Sequence, residues 1–422
     1  MPSPICEGLN PEQTAAVIYK TGPLLIIAGA GTGKTTVIIR RIAYLIEKKL
    51  AKPSEILALT FTDKAAEEME LRVDQLVPYG YVDVNISTFH AFGDQLLREH
   101  AIDLGMRPDY RVLTLAEQLV FLREHLFELP LNYFKSLGDP TKHLAALLGV
   151  ISRAQDEGAA PKAYLAWAAK NRKHEDYKKH LEIAKVYEKY QALKNEKNFV
   201  DFADQVGLAL QLIQKRPIFL KKLTERYKYI LVDEFQDTNY AQMQLLLLLA
   251  GKKANLTVVG DDDQAIYKFR GAAVTNILNF ERYFKKCKKV VLTQNYRSGQ
   301  LILNSARKLI VHNNPDRLEV RSRINKKLVS CAKAPLNLPE HYHFDRINSE
   351  ADWVSEAIKK KLDKGYKLTD FAILVRANAD AQPFLQSLNM QGLPYQFSGG
   401  SGLYVSPAVK MAIAFLRVIG DF

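Results

Sequence analysis

Short apolar runs alternate with amphipathic segments along the first quarter of the chain. Apolar runs of strand length occupy residues 24–27 and 56–60, and residues 85–92 show a third short strand that continues into a helix. After the first run, apolar residues recur at helical spacing through Ile38 and Ile42. Strands that alternate with helices predict a mostly parallel sheet covered by helices on both faces.

The pattern changes between residues 114 and 197, where strand signals disappear. Leu, Ala, Lys, Glu and Tyr repeat there at helical spacing, which predicts a helical insertion of roughly 90 residues. Its lysines and tyrosines could contact nucleic acid, although such helices more often present solvated lysines above buried rings. The residues concerned are Lys178, Lys179, Lys185, Tyr187, Lys189 and Tyr190.

Strand patterns return in the second half of the chain. They occur at residues 229–232, 256–259, 290–292, 341–344 and 371–375. Helical patterns accompany the later strands at residues 302–311, 352–361, 383–391 and 407–419. We therefore predict an α/β fold in three parts. The first core domain takes residues 1–110 and 200–288, the helical insertion takes residues 111–199, and a second α/β domain takes residues 289–422.

The composition narrows the class of protein. Of the 422 residues, 47% are hydrophobic, which is enough for several buried cores. The net charge of +13 suits a polyanionic partner, and it equally fits a lysine-rich surface. Three cysteines without a CxxC pair argue against a disulfide framework or a cysteine metal site. With no signal peptide and no apolar run long enough for a membrane span, we expect a cytoplasmic protein without a membrane partner.

The end of the first strand carries the clearest chemical signal. It reads Ala28-Gly29-Ala30-Gly31-Thr32-Gly33-Lys34-Thr35-Thr36 and leads into a helix. Glycines let backbone N–H groups converge on phosphates, Lys34 neutralises charge, and Thr35 offers a hydroxyl to Mg²⁺. A dinucleotide-binding turn is the alternative, but Lys34 and Thr35 follow Gly33 where that turn continues differently. The strict phosphate-loop pattern has glycine in place of Ala28, which matters only if the position needs a positive φ.

Polar side chains follow three other predicted strands, at the sheet edge where ligands of α/β proteins bind. Asp233 could hold Mg²⁺, and Glu234 could orient and deprotonate a water that attacks a phosphate. Gln264 could contact the γ-phosphate or simply make a loop hydrogen bond. Arg297 is a candidate arginine finger, although a single loop arginine is usually solvated.

Aromatic residues form a second group at these strand ends. They could stack on the bases of a single strand, or fill the space between helices and sheet. The rings are Phe61, Phe89, Phe92, Tyr267 and Phe269. In the segment 267–271, aromatic and basic residues alternate up to a glycine and include Arg270, which favours contact with nucleic acid.

The order of these segments resembles the UvrD/Rep (PcrA-like) superfamily 1 DNA helicases. The matching segments are residues 9–13, 28–35, 59–69, 86–92, 231–237, 259–272, 294–298 and 371–378. The resemblance implies a RecA-like P-loop NTPase core with a helical insertion. It also implies ATP and Mg²⁺ as cofactors and 3′→5′ movement along single-stranded DNA in repair or replication, with single-strand/duplex junctions and repair proteins as partners.

The resemblance also implies residue roles. Gln13 and Tyr296 would hold adenine, residues 28–36 the phosphates, and Thr35 and Asp233 the Mg²⁺, beside the catalytic set Lys34, Asp233, Glu234, Gln264 and Arg297. Contacts to DNA would come from Phe61, Thr62, His90, Tyr267, Phe269, Arg270, Arg376 and Asn378. Two departures stand out: Phe269 replaces a usual tryptophan, and Asp63 replaces a usual asparagine and brings a carboxylate close to the expected DNA path.

The family's later motifs, V and VI, do not follow residue 419. On this ground we expect a second domain that is only partly present, and weak ATP hydrolysis by this chain. Two other functions remain open: the motor part of a helicase–nuclease of the RecB or AddA kind, and an ATP-gated DNA-binding module without unwinding.

Overall fold

The computed structural model describes residues 4–77, 84–251, 254–267, 273–332, 338–398 and 407–420. The chain divides into two units, Met1–Leu338 and Pro339–Phe422. The strands are β1 (Leu24–Ala28), β2 (Ile56–Thr60), β3 (Asn85–Thr88), β4 (Arg111–Leu113), β5 (Phe199–Asp201), β6 (Tyr229–Val232), β7 (Leu256–Gly260), β8 (Lys288–Leu292), β9 (Gln294–Asn295) and β10 (Val329–Ser330).

Helices connect most of these strands and also occur in the second unit. In the first unit they are α1 (Pro11–Val17), α2 (Lys34–Glu47), α3 (Asp63–Asp74), α4 (Phe89–His100), α5 (Leu115–Glu124), α6 (Leu144–Asp156), α7 (Pro161–Lys170), α8 (Tyr177–Glu196), α9 (Phe202–Lys215), α10 (Pro217–Arg226), α11 (Tyr240–Ala250), α12 (Thr275–Leu278), α13 (Phe280–Tyr283), α14 (Gln300–Ile310) and α15 (Leu318–Arg321). In the second unit they are α16 (Ile347–Leu362), α17 (Gln382–Met390) and α18 (Pro407–Gly420). Within the described ranges, no helix combines the length and apolarity that a membrane span needs.

A parallel sheet of six strands forms the core of the first unit, in the order β3-β2-β6-β7-β1-β8. Every residue of β1 is buried, because helices cover both faces and leave no polar side to the strand. Leu25 and Ile27 join the apolar cluster on one face, and Leu24, Ile26 and Ala28 join the cluster on the other. The predicted parallel sheet is therefore confirmed.

The helices α5–α8 pack around an apolar cluster of their own, as the helical spacing predicted. The chain leaves the core along β4 and returns along β5, which pair in parallel. Tyr187 and Tyr190 are buried in this cluster, while Lys178 and Lys185 are exposed. These tyrosines are therefore core residues rather than stacking platforms. The interpretation as buried rings beneath solvated lysines is the correct one for them.

In the described residues of the second unit, the regular elements are all helices. Ile358, Leu388 and Leu393 form its apolar cluster, and Phe371 and Ile373 pack against it. The strands predicted at 341–344 and 371–375 were wrong. Side chains at 371–375 do alternate between the apolar cluster and solvent, and Leu374 is 92% exposed. A strand also needs a hydrogen-bonded backbone partner, and this segment is not assigned as a strand. The helices predicted at 352–361, 383–391 and 407–419 are confirmed as α16, α17 and α18.

Gly93 allows α4 and α9 to approach closely, and this contact is testable. A Cβ at Gly93 would lie 2.6 Å from the backbone oxygen of Gln205 in α9, so Gly93→Ala forces the two helices apart. We expect a loss of about 1–3 kcal/mol in the free energy of unfolding, measured by urea denaturation.

Gly149 in α6 is the matched control, because a Cβ there meets no atom within 4 Å. Gly149→Ala should stabilise the protein by about 0.5–1 kcal/mol through its helix propensity. Equal effects of the two substitutions would contradict the proposed helix contact.

Candidate active site

The phosphate-loop segment forms a tight turn between β1 and α2. Gly31 and Gly33 have φ values of +74° and +85°, which L-residues with side chains rarely adopt. A Cβ at Gly31 would lie 2.7 Å from the Cβ of Arg297 and 2.8 Å from the amide nitrogen of Asn295. Ala28 is the last residue of β1 and fully buried, so the departure from glycine falls on ordinary strand backbone.

Protein groups hold four consecutive backbone oxygens of this loop. The Thr32 hydroxyl donates to Gly29 (2.8 Å), the Asn295 side chain to Ala30 (2.5 Å), the Tyr296 backbone N–H to Gly31 (2.9 Å) and the Gln13 side chain to Thr32 (2.9 Å). With its carbonyl groups held in this way, the loop has a defined conformation before any anion arrives. Such loops bind anions through their backbone N–H groups.

Lys34, the first residue of α2, lies almost buried between two strand ends. Its Nζ donates to Glu234 Oε2 at 2.5 Å and to Gln264 Oε1 at 3.1 Å. The lysine side chain is 9% exposed, whereas that of Glu234 is 37% exposed. The structure thus brings together three of the predicted catalytic side chains, which follow three different strands or loops.

Asp233 lies beside them at the end of β6. The hydroxyl of Thr35 donates to its Oδ2 at 3.3 Å. Burial, followed by the nearby Glu234 charge, raises the pKa of Asp233 to about 6. A hydroxyl and a buried carboxylate are the oxygen ligands that Mg²⁺ prefers, so this pair fits the predicted metal. Thr36, the last residue of the predicted loop, is exposed.

Glu234 has an unusual backbone conformation, with φ at +47°. Its N–H donates to Asp233 Oδ1 at 2.9 Å, and Gln236 Nε2 donates to its Oε2 at 2.8 Å. Gln236 is 1% exposed and also accepts the backbone N–H of Asp261 at 3.0 Å. Gln236 therefore fixes the carboxylate of Glu234 relative to β7. Gln236 is not among the predicted site residues, although it lies inside the matching segment 231–237.

One side of the phosphate loop is flanked by Asn10, Gln13 and Tyr296. Asn10 caps α1, with Gln13 completing the capping box, and Asn10 Nδ2 donates to the Tyr296 hydroxyl at 3.0 Å. Gln13 is 4% exposed, and Tyr296 is 46% exposed. Gln13 is thus held by the protein itself, while the ring of Tyr296 is accessible.

Arg297 is exposed beside the loop, and its backbone is held by Asn295. Asn295 is buried and its Oδ1 accepts the N–H groups of Arg297 and Ser298 at 3.0 and 2.8 Å. This asparagine joins the segment 294–298 to the phosphate loop, a role that the sequence analysis missed. A polar residue between an apolar strand and Tyr296 was the available signal.

Two of the aromatic candidates for DNA contact lie together. The rings of Phe61 and Tyr267 are 5.1 Å apart with an interplanar angle of 33°. Phe89 and Phe92, in contrast, are core residues, 3% and 0% exposed. For these two rings, the interpretation as space-filling residues was the correct one.

The other DNA-contact candidates lie in different parts of the sequence. Thr62 caps α3 by accepting the N–H of Ala65 at 3.2 Å. His90 packs edge-on against Phe202, with ring centroids 6.2 Å apart, and burial lowers its pKa. Phe269 and Arg270 lie outside the described residues. Arg376 and Asn378 are exposed residues of the second unit.

Comparison with known families assigns the chain. A model for the UvrD/REP helicase N-terminal domain matches residues 9–285, and a model for the UvrD-like helicase C-terminal domain matches residues 290–421. The chain belongs to the UvrD/Rep helicase family. Its central sheet is accordingly the RecA-like P-loop core that the resemblance implied. The expectation of a partial second domain is not supported, because the C-terminal model matches residues 290–421.

The chain is also similar to individual members of the UvrD/Rep family. It is 35% identical to the ATP-dependent DNA helicase PcrA of Staphylococcus epidermidis over 419 residues, which is 99% of this chain and 54% of the relative. Identity to the proteins of the same name is 36% over 418 residues in Bacillus subtilis (99% and 54%) and 36% over 417 residues in Leuconostoc citreum (98% and 53%). The chain spans about half the length of these relatives.

The fit between Gly31 and the segment 294–298 leads to a prediction. Gly31→Ala would strain a positive φ and push against Asn295 and Arg297, so we expect affinity for Mg·ATP to fall at least about tenfold. Equilibrium titration with a fluorescent ATP derivative measures it.

Gly105 separates backbone strain from contact. It has the same φ of +74°, and a Cβ there meets no atom within 4 Å. Gly105→Ala should cost about 1–2 kcal/mol of stability and leave ATP affinity unchanged. If Gly31→Ala bound ATP as the parent does, the proposed close fit would be refuted.

Proposed function

We propose that this chain is the motor part of an ATP-dependent DNA helicase that moves 3′→5′ along single-stranded DNA. The convergence of Lys34, Glu234 and Gln264 at one edge of the sheet carries this proposal. These groups follow separate strands and meet beside a loop whose carbonyl oxygens are already hydrogen-bonded. That arrangement suits phosphoryl transfer, which depends mainly on positioning and charge stabilisation. Membership of the UvrD/Rep family and the relatives named ATP-dependent DNA helicase support it.

The contacts of each group at this edge support the role that we propose for it. The loop 28–36 and Lys34 bind the phosphates. Thr35 and Asp233 hold Mg²⁺, which supplies positive charge to the phosphate oxygens. Glu234 is the more exposed carboxylate and is oriented by Gln236, so it is placed to accept a proton from the attacking water.

Residues on the rim complete the nucleotide site. Gln264 donates to the γ-phosphate from its amide nitrogen, while its amide oxygen accepts from Lys34 Nζ at 3.1 Å. Arg297 is the arginine finger, exposed beside Gly31. The ring of Tyr296 stacks on adenine, and Gln13 reads the base edge near Thr32.

The DNA surface that we propose starts at the Phe61–Tyr267 ring pair. Two partly exposed rings in contact offer a platform for an unstacked base, and the net charge of +13 favours a polyanion. Thr62, His90, Phe269, Arg270, Arg376 and Asn378 are the further proposed contacts. Junctions of single strand and duplex, and repair proteins, are the proposed partners.

Strand separation distinguishes a motor from a binding module, and its dependence on the tail shows the direction of movement. We expect DNA-stimulated ATP hydrolysis and separation of duplexes that carry a 3′ tail, with little separation when the tail is 5′. Strand separation is followed by fluorescence with matched tails of equal length. Glu234→Gln is the control, and should lower ATP turnover by about 100-fold or more while nucleotide still binds.

Other outcomes have definite meanings. Preferential opening of 5′-tailed duplexes would contradict the proposed direction. ATP-dependent DNA binding with no strand separation would favour the ATP-gated binding module. The expectation of weak hydrolysis rested on a second domain that is only partly present, which the match to residues 290–421 does not support, so it is not part of this proposal.

Lys34 permits a separate test of the nucleotide site. Lys34→Ala should abolish tight binding of Mg·ATP, because it removes a nearly buried ammonium that would neutralise phosphate charge, and should leave affinity for single-stranded DNA within about twofold. Titration of each ligand measures both constants. Lys48→Ala, at the opposite end of α2, is the control and should change neither. A parallel loss of both affinities by Lys34→Ala would show that the lysine supports the fold.

A further inference from the structure

A cluster of charged residues lies behind Gln264, on the side away from Lys34. Lys326 Nζ contacts Asp261 Oδ1 at 2.5 Å, Asp262 Oδ1 at 2.5 Å and Asp263 Oδ2 at 2.8 Å. The Lys326 side chain is 5% exposed. Arg317 makes a two-pronged contact with Asp263, at 2.7 and 2.6 Å. The three carboxylates are close enough together to hold a metal ion, but Lys326 already supplies the cation.

Asp261 connects this cluster to the nucleotide site. One of its carboxylate oxygens, Oδ1, accepts from Lys326, while the other, Oδ2, accepts from Gln264 Nε2 at 2.7 Å. With its nitrogen held in this way, Gln264 turns its amide oxygen towards Lys34 Nζ at 3.1 Å. Lys326, Asp261, Gln264 and Lys34 thus form a continuous chain of polar contacts.

The orientation of Gln264 depends on this chain of contacts. An amide has similar shape either way round, so only its hydrogen-bond partners decide which end faces Lys34. If the amide turned over, its NH₂ group would face an ammonium and its oxygen would face a carboxylate. Both contacts would be repulsive. Asp261 enforces the observed orientation as long as its own position is held.

Lys326 is the group that holds Asp261. Three adjacent, largely buried carboxylates repel one another, and burial raises the pKa of Asp262. Removing the one ammonium that contacts all three leaves Arg317 to compensate Asp263 alone, so Asp261 and Asp262 would separate or take up water. The backbone N–H of Asp263 also binds Asp261 Oδ1, but at 3.2 Å and without charge.

We propose that Lys326 is a positioning residue for the γ-phosphate contact: through Asp261 it keeps the amide oxygen of Gln264 directed at Lys34. The proposal rests on the nucleotide site proposed above. It also means that the segment 317–326, which carries Arg317 and Lys326, is linked to the state of the third phosphate. A nucleotide without the third phosphate makes no contact with Gln264, so its affinity does not depend on Lys326.

The test compares nucleotides with and without the third phosphate. In Lys326→Met, affinity for a non-hydrolysable ATP analogue with a nitrogen bridge should fall about tenfold, while affinity for ADP stays within about twofold of the parent. Both constants come from equilibrium titration in Mg²⁺. Lys327→Met is the matched control, because that neighbouring lysine is exposed, and it should change neither affinity.

Two further variants separate positioning from folding. Gln264→Ala should give the same selective loss, and combining it with Lys326→Met should add nothing, since both act through one contact. Asp261→Asn leaves an oxygen for Lys326 but presents an NH₂ group to Gln264. It should reproduce the selective loss without removing the buried lysine, which keeps the test valid if Lys326→Met does not fold.

The possible results are distinct. Equal loss of analogue and ADP affinity in Lys326→Met and Asp261→Asn would show a merely structural role and overturn the proposal. Unchanged analogue affinity in both variants would overturn it as well, as would losses that multiply in the double variant. Failure of the parent chain to bind either nucleotide would instead refute the proposed function, which is a different outcome.

Discussion

The parallel register of the central sheet is the constraint on which the candidate active site depends. Ile27 of β1 pairs with Gly260 of β7, and Ala28 pairs with Leu292 of β8. Because the strands are parallel and in this register, their carboxyl ends lie side by side. The phosphate loop, Asp261 and the segment 294–298 therefore leave the sheet as neighbours. A slip of one residue in β7 would invert its side chains and move this edge together with the core.

Buried charge at that edge has to be compensated locally, since a lone ion in this setting costs several kcal/mol. Lys34 is compensated by Glu234, which is the residue that we propose as the general base. A phosphate group bound at the loop would compete with Glu234 for the same ammonium. Nucleotide binding would then release the carboxylate towards water while Gln236 still holds it in place. One ion pair can thus stabilise the site before binding and prepare the base afterwards.

The sequence predicted the fold of the first unit well, because its signals are local. The apolar run at residues 56–60 coincides with β2, and the helical spacing through Ile38 and Ile42 falls within α2. The predicted strand at 371–375 failed for the opposite reason. Alternation reports which side chains face a core, but pairing requires a distant partner that no local pattern encodes.

The residues of the candidate active site show the same difference between local signals and long-range contacts. Lys34 and Asp233 belong to motifs whose residue types and spacing indicate phosphate and metal binding, so both could be predicted as site residues from the sequence. Gln236 and Asn295 lie inside such motifs, but their importance comes from contacts with Asp261 and Ala30 across the sheet edge. A buried amide with several partners looks in sequence like any loop residue.

The contrast between Leu318 and Lys326 shows why the link to the third phosphate has to be polar. Leu318 is 1% exposed and packs into the main apolar cluster, so it contributes stability to the segment 317–326. Apolar contacts have little directional preference, however, and they cannot distinguish the two orientations of an amide. The polar contacts from Lys326 through Asp261 to Gln264 do distinguish the two orientations, because each donor meets an acceptor in only one of them. Apolar packing therefore holds the segment 317–326 on the core, whereas its charged contacts determine the orientation of Gln264.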